Sequence, residues 1–411
     1  MNLTDVYNAQ KRLRGITHLT NLEHSNTFSK LAEAEIWLKC ENRQKTGSFK
    51  VRGAYNKIKK LSEETDASCV VAASAGNHAQ GVAYAARELG LKAYIVMPLA
   101  TPIAKIAATE SYGATVVLSG DCYDDSYNAA LTLTKEKNAV FVHPFDDEDV
   151  IAGQGTVALE LIEQMPNLDA IIVPAGGGGL FAGIAYTIKQ INPKIKVIGV
   201  QGERADAVKR SFELKKHVST NSVYTIADGI AVKNPGVITT ELINKFADGV
   251  YTVSDDEIAS TIIQLMERSK QVVEPAGATP LALALSRKAA CLKNKKIACV
   301  LSGGNIDVGF IHKIIEKGLV SRGRQMKFSV VLTDKPGSLE NFSRIMSAQQ
   351  ANIISVQYDR MSTELSLNET ILHIACEVSG FEHGKKLIDA IEQNGYLIIP
   401  NNRSAVAANK I

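Results

Sequence analysis

Several things are scarce in this chain, and each scarcity excludes something. Six cysteines are scattered through 411 residues (Cys40, Cys69, Cys122, Cys291, Cys299 and Cys376), and no two form a C-x-x-C pair. That excludes a disulfide framework and points to reduced thiols in a cytosolic protein. Cys299 sits in "KIACVLSGG", the pattern of a buried strand, and lacks the electropositive His partner a nucleophilic thiolate needs. No window approaches the 18 apolar residues of a membrane span. The opening stretch "MNLTDVYNAQKRLRGITHLT" has no apolar core, so it does not read as a signal peptide. Charge of one sign is also missing: 46 Lys and Arg face 43 Asp and Glu, a formal net charge of +3 with no long basic block. Nucleic acid is therefore not the expected partner.

What is present is a regular alternation. From about residue 68, short β-branched runs alternate with helical patterns. "CVVAA" leads through "SAGN" into "HAQGVAYAAREL", and "KAYIVMP" follows a Gly90 stop. The cycle repeats to the last such strand, "KKIACVLSGGN". Strands alternating with helices of this length predict a mainly parallel sheet with helices on both faces. The length itself asks for two or three domains. Near residues 318–327 the texture changes: "KGLVSRGRQMK" is basic, lacks apolar periodicity and reads as a linker. Beyond it, strand, helix, two strands, helix and strand follow within about 75 residues, the split βαβ or ferredoxin-like plan.

Four stretches carry chemistry. "IIVPAGGGGLFAG" runs from a buried strand into four glycines and then a helix. Backbone without Cβ atoms can aim several N–H groups at one spot, and the helix N-terminus adds positive dipole. That is an anion site suited to phosphate, although the same glycines could serve as a hinge. Gly177, Gly179 and Ala182, with Glu203 about 20 residues on, also fit the dinucleotide pattern G-x-G-x-x-A, which supports a rival oxidoreductase reading. "SAGNHAQG" lies at another strand-to-helix turn, where Asn77 can present amide donors or simply cap the helix. "LSGGN" places Ser302 at a strand's carboxyl end, where α/β sheets bind ligands.

The fourth stretch is "GSFKVRGAYNKIKKL". Val51, Tyr55 and Ile58 recur at helical spacing, with Ser48 as the expected N-cap. Lys50 then falls in the first helical turn, where the macrodipole disfavours a cation. Its neighbours Phe49 and Val51 add desolvation. Both effects favour the neutral amine that a nucleophilic lysine requires. A solvated surface lysine is the competing reading of this stretch alone.

Together, a reactive lysine, a phosphate cup, an Asn turn and a hydroxyl at a strand end are what pyridoxal 5'-phosphate needs. At this point the chain resembles the threonine dehydratases (threonine ammonia-lyases) of the fold-type-II, tryptophan-synthase-β-like pyridoxal-phosphate enzymes. The resemblance rests on "ENRQKTGSFKVRGA", "SAGNHAQGVA", "GQGTVALE", "VPAGGGGL", "EPAGA" and "LSGGN", in the family's order across roughly residues 5–320. It implies that Lys50 anchors the cofactor covalently and that Phe49 lies beside the ring. Gly176, Gly177, Gly178, Gly179 and Leu180 would bind the phosphate, Asn77 the ring oxygen and Ser302 the ring nitrogen. Ser74, Ala75, Gly76 and His78 would frame the substrate carboxylate. The implied reaction converts L-threonine, and also L-serine, to a 2-oxo acid and ammonia; for threonine this is 2-oxobutanoate.

Two positions separate relatives. Serine racemase, a related enzyme, carries a serine acid-base group where this chain has Ala75, so the resemblance implies elimination and not racemisation. Cation-binding relatives carry acidic ligands in the segment matching "VQGERADA"; Gln201 and Ala207 stand there, so no bound metal is expected. The tail is similar to a single ACT-like regulatory domain. Its Asp334, Pro336 and Gly337 resemble an effector-binding turn, which implies feedback inhibition by isoleucine. A purely oligomerising tail, or a noncatalytic ligand sensor, is the other reading of that domain. The expected plan is an α/β catalytic domain over 1–320 with a smaller lobe at about 46–145, a linker over 321–326, an ACT-like domain over 327–400 and a tail over 401–411. A cytoplasmic homotetramer is implied.

Overall fold

The structure, a computed structural model, describes residues 1–360 and 366–399. The expected tail over 401–411 lies outside the described residues. The chain divides into two units, Met1–Asp307 and the part from Val308 onward.

The first unit holds two sheets. The larger has six strands in the order Leu22–His24, Glu35–Lys39, Lys296–Val300, Ala170–Pro174, Lys196–Gly202 and Gly249–Val253. Only the first pair is antiparallel. The smaller sheet orders Thr115–Leu118, Lys92–Met97, Cys69–Ala73 and Val140–Phe141, all parallel. The central strands Cys69–Ala73 and Ala170–Pro174 are buried along their whole length. That is why they read as continuous apolar runs instead of alternating ones. Leu161, Phe181, Ile184 and Ile188 from flanking helices pack with Ile171 and Val173 on the larger sheet. Tyr55, Ile58, Val82 and Ala86 pack with Val70 and Ile95 on the smaller one.

A buried set of charges ties the lobes together. Arg52, on the helix Lys50–Glu64, donates from Nε and Nη2 to Glu41, both at 2.8 Å, and from Nη1 to Glu160 at 2.6 Å. Lys39, on the larger sheet, donates to the other Glu160 oxygen at 2.6 Å and to the Thr20 carbonyl at 2.8 Å. Two cations thus meet two anions with their lone pairs occupied, the condition under which buried charge is tolerated. Burial pushes the Glu41 carboxyl up, but the Arg52 charge and hydrogen bonds outweigh it and the net direction is down.

The second unit opens with the helix Val308–Ser321. An antiparallel sheet follows in the order Asn352–Asp359, Glu369–Glu377, Gln325–Thr333 and Ile398–Ile399. The helices Ser338–Ala348 and Phe381–Gln393 bury Phe342, Met346, Leu387 and Ile391 against Val330, Leu372 and Ile374. This is the ferredoxin-like plan. The basic stretch expected as a linker over 321–326 is mostly ordered: the helix ends at Ser321 and the first strand starts at Gln325. Only 322–324 connect them, turning at Gly323 with φ of 65°. The helix therefore groups with the C-terminal unit, and not with a catalytic domain running to residue 320. Its apolar residues Phe310, Ile311, Ile314, Ile315 and Leu319 recur at helical spacing, and of these only Ile314 is buried. In the turn after the first strand, Gly337 adopts φ of 87° and caps the next helix, and Asp334 pairs with Arg360 at 3.1 Å.

Candidate active site

Three strands of the first unit end in glycine-containing turns that open on one cavity of about 710 Å³. The strand Cys69–Ala73 delivers Ser74, Ala75, Gly76, Asn77 and His78. Ala170–Pro174 delivers Gly176 to Leu180. Lys296–Val300 delivers Ser302. Phe49 and Lys50 line the same cavity. Every residue that the resemblance assigns to the cofactor or the substrate lines this cavity, although Lys50 and Ser302 are 252 positions apart. Asp334, Pro336 and Gly337 belong to the other unit.

Lys50 is the first residue of its helix, and Phe49 takes the cap place without a side-chain cap bond. This corrects the expectation for Ser48. Ser48 is extended, forms an isolated bridge with Gly303, and its buried hydroxyl has no hydrogen-bond partner. Phe49 N–H instead donates to the Ser302 carbonyl at 3.1 Å, so the chain is pinned to the neighbouring strand end before the helix begins. Lys50 Nζ donates to the Pro144 carbonyl at 2.8 Å and lies 5.4 Å from the Phe49 ring centroid. Burial brings its pKa down to about 8, against an opposing pull from Glu274. The amine is therefore held where it can exchange a proton near neutral pH.

The glycine turn has the features of an anion cup. The first helical bond runs from Ala182 N–H to Gly178 O at 2.7 Å, so the earlier N–H groups have no helical acceptor. Gly178 adopts φ of 98°, a conformation glycine alone enters freely, and a Cβ there would come within 2.7 Å of Thr239. Thr239 Oγ1 donates to Gly177 O at 2.7 Å, which holds the turn open toward the cavity. Glu203, the acidic residue of the dinucleotide pattern, is bonded to Lys288 at 3.0 Å on the surface and does not line the cavity.

Asn77 begins the helix Asn77–Glu88. His78 is buried, with Nε2 against the Val142 carbonyl at 2.9 Å. Burial, with Lys50 nearby, pushes its pKa down to about 3, so the ring is neutral and held by backbone. Gly76 N–H donates to Ser74 Oγ at 3.2 Å. Gln201, one of the two expected metal-free positions, accepts from the Lys209 N–H, and Ala207 starts a short helix. Among the described residues no cluster of three or more His, Cys, Asp or Glu could hold a metal ion.

Glu274 was missed by the sequence reading, although its motif "EPAGA" was noted. It is 5% exposed, lines the cavity and accepts from Asn77 Nδ2. A carboxylate directly before Pro275 at a helix start was the available signal, and it reads as an ordinary cap until the burial is known.

This geometry defines a cofactor enzyme of the α/β class: an amine of lowered pKa, a row of unpaired N–H groups and two polar groups converging on one cavity. The chain belongs to the pyridoxal-phosphate dependent enzyme family, whose model matches residues 14–303. It is 44% identical to an L-threonine ammonia-lyase of Thermotoga maritima, over 96% of this chain and 98% of that one. It is 44% identical to a catabolic L-threonine dehydratase of Escherichia coli K12, over 76% of this chain and 95% of that one. Among solved structures it is similar to maize serine racemase, with a TM-score of 0.73 and 36% identity over 78% of this chain and 98% of that one. The cofactor is pyridoxal 5'-phosphate, and the residues present fit it. Lys50 offers the amine, the turn 176–180 offers donors for the phosphate, and Asn77 and Ser302 offer polar groups for the ring.

Proposed function

We propose that the protein is an L-threonine ammonia-lyase that also accepts L-serine, with Lys50 as its catalytic base. The observation that carries this is the placement of Lys50: first turn of a helix, pKa lowered to about 8, in one cavity with the glycine turn. The identity to the Thermotoga maritima enzyme supports the substrate, because it runs through both units. Bound pyridoxal 5'-phosphate supplies an electron sink for negative charge at the substrate Cα. The chain does the rest. Lys50 takes the Cα proton, the substrate β-hydroxyl leaves with a proton as water, and the released enamine takes up water to give the 2-oxo acid and ammonia. The N–H groups of 176–180 hold the phosphate. Ser74, Ala75, Gly76 and His78, around the start of the helix Asn77–Glu88, receive the substrate carboxylate. Ala75 has no proton to give from the opposite face, which supports elimination over racemisation. Ser302 is a neutral partner for the ring nitrogen, which limits charge spreading and favours prompt loss of the β-substituent.

The catabolic relative matches 76% of this chain, leaving the C-terminal unit as an addition. We read that unit as a regulatory domain taking isoleucine at the turn with Asp334, Pro336 and Gly337. The place in metabolism is then the first step of isoleucine biosynthesis, in a cytoplasmic homotetramer. Among the described residues no helix is long and apolar enough to cross a membrane. The test is Lys50→Ala. The parent should be yellow and release 2-oxobutanoate from threonine, and the variant should lose both the visible band and turnover. A variant that keeps turnover overturns the assignment.

A further inference from the structure

Glu274 has no task in the reaction above, yet its surroundings are specific. Both of its oxygens lie 2.9 Å from Asn77 Nδ2, and its own N–H donates to the Gly303 carbonyl at 2.9 Å. The orientation of Asn77 is fixed from the other side. The Thr46 carbonyl can only accept, so Asn305 turns its amide nitrogen there, at 2.7 Å, and gives its second N–H to Asn77 Oδ1 at 2.8 Å. Asn77 therefore faces Glu274 with its NH₂ group. The carboxylate takes one hydrogen and leaves the other for a ligand. Space is reserved for this arrangement: a Cβ on Gly303 would come within 2.5 Å of Glu274 Oε1.

If orientation were the only need, a neutral glutamine would meet it without the cost of burying a charge. The charge instead acts on what it faces. The ionisable groups around it are Asp228, Lys105 and Lys50. Lys105 and Asp228 also line the cavity, but they pair with each other at 3.4 Å at its exposed side, so of the cations acting on Glu274 it is Lys50 that carries no carboxylate partner of its own nearer the surface. Burial raises the Glu274 carboxyl to about 7, so it ionises in the range where Lys50 works.

We propose that Glu274 is a positioning residue of the cofactor site: it holds Asn77 as an N–H donor to the cofactor's ring oxygen, and its negative charge keeps the Lys50 nitrogen protonated while the cofactor is attached. This rests on the assignment of Asn77 to the ring oxygen. The experiment follows the visible band of the full-length protein with bound cofactor from pH 6 to 10, in parent, Glu274→Gln and Glu274→Asp. Glu274→Gln keeps size and removes charge, so the midpoint of the pH-dependent colour change moves down by about 1 unit. Glu274→Asp keeps charge and shortens reach, so its midpoint stays while the Kd for added pyridoxal 5'-phosphate rises several-fold. A Gln midpoint equal to the parent's overturns the proposal. If Glu274→Gln is recovered unfolded, the Asp variant decides: a held midpoint with weakened cofactor binding supports the proposal, and unchanged binding or a lost midpoint overturns it. A parent with no visible band refutes the cofactor site itself, which is a different failure.

Discussion

Arg52→Met tests the charge network that joins the lobes. Arg52 is 1% exposed and Glu41 is fully buried. Methionine restores much of the volume but none of the five donors. Glu160 keeps Lys39 as its partner. Glu41 keeps the Thr20 hydroxyl and the charge of Lys39, which does not hydrogen-bond to it, and loses its hydrogen-bonded cation. Breaking such a pair from one side costs about 3–5 kcal/mol, because the remaining charge is left without its ion-pair partner. The pH dependence follows from the directions. In the parent the Glu41 carboxyl is held low, so its contribution is present at neutral pH and is lost as the pH falls through that lowered value. In the variant burial, the largest influence, is opposed only by the Lys39 charge and the Thr20 hydroxyl, so the carboxyl rises and stability falls as the pH rises. The gap between parent and variant therefore widens from pH 5 to pH 8. Urea unfolding of the first unit, followed by circular dichroism at both pH values, measures it. Adding Glu41→Gln to Arg52→Met removes the stranded charge, so the double variant should lose less than the sum of the singles. A loss below about 1 kcal/mol at pH 8, or strict additivity, refutes the reasoning.

Other outcomes follow from single residues. Glu274 carries a carboxyl raised to about 7 from a reference of 4.5, so in the cofactor-free chain it costs stability as pH climbs through that window and the cost levels off above it. Glu274→Gln should relieve on the order of 3 kcal/mol at pH 8 and almost none at pH 4.5, read from urea midpoints. Gly178→Ala places a Cβ at φ of 98° and against Thr239, so it should cost about 1–3 kcal/mol and weaken cofactor binding more than tenfold in an absorbance titration. Truncation after Arg322 should abolish inhibition by isoleucine and leave threonine turnover measurable; unchanged inhibition would rule out the regulatory reading of the C-terminal unit.

Much of the fold was legible because it depends on local period. Strands buried on both faces, such as Ala170–Pro174, must be apolar throughout, and their alternation with helices dictates a parallel sheet. The helix Val308–Ser321 has a helical apolar period in Phe310, Ile311, Ile314, Ile315 and Leu319, but the unit it joins was not legible, because that is decided by packing and not by local period.

The sequence by itself determined the chemistry available here: an amine at a helix start, four glycines before another, an Asn turn, a serine at a strand end. These depend on residue type and immediate neighbours. Only the tertiary structure decided which distant groups act on them. It set Pro144 O on the Lys50 amine, Glu274 on Asn77, and Glu41 and Glu160 on Arg52. It also moved Ser48 from helix cap to a bridge with Gly303. The reason is that electrostatics in a buried cavity depends on distance and desolvation, and neither quantity exists until strands far apart in sequence are packed side by side.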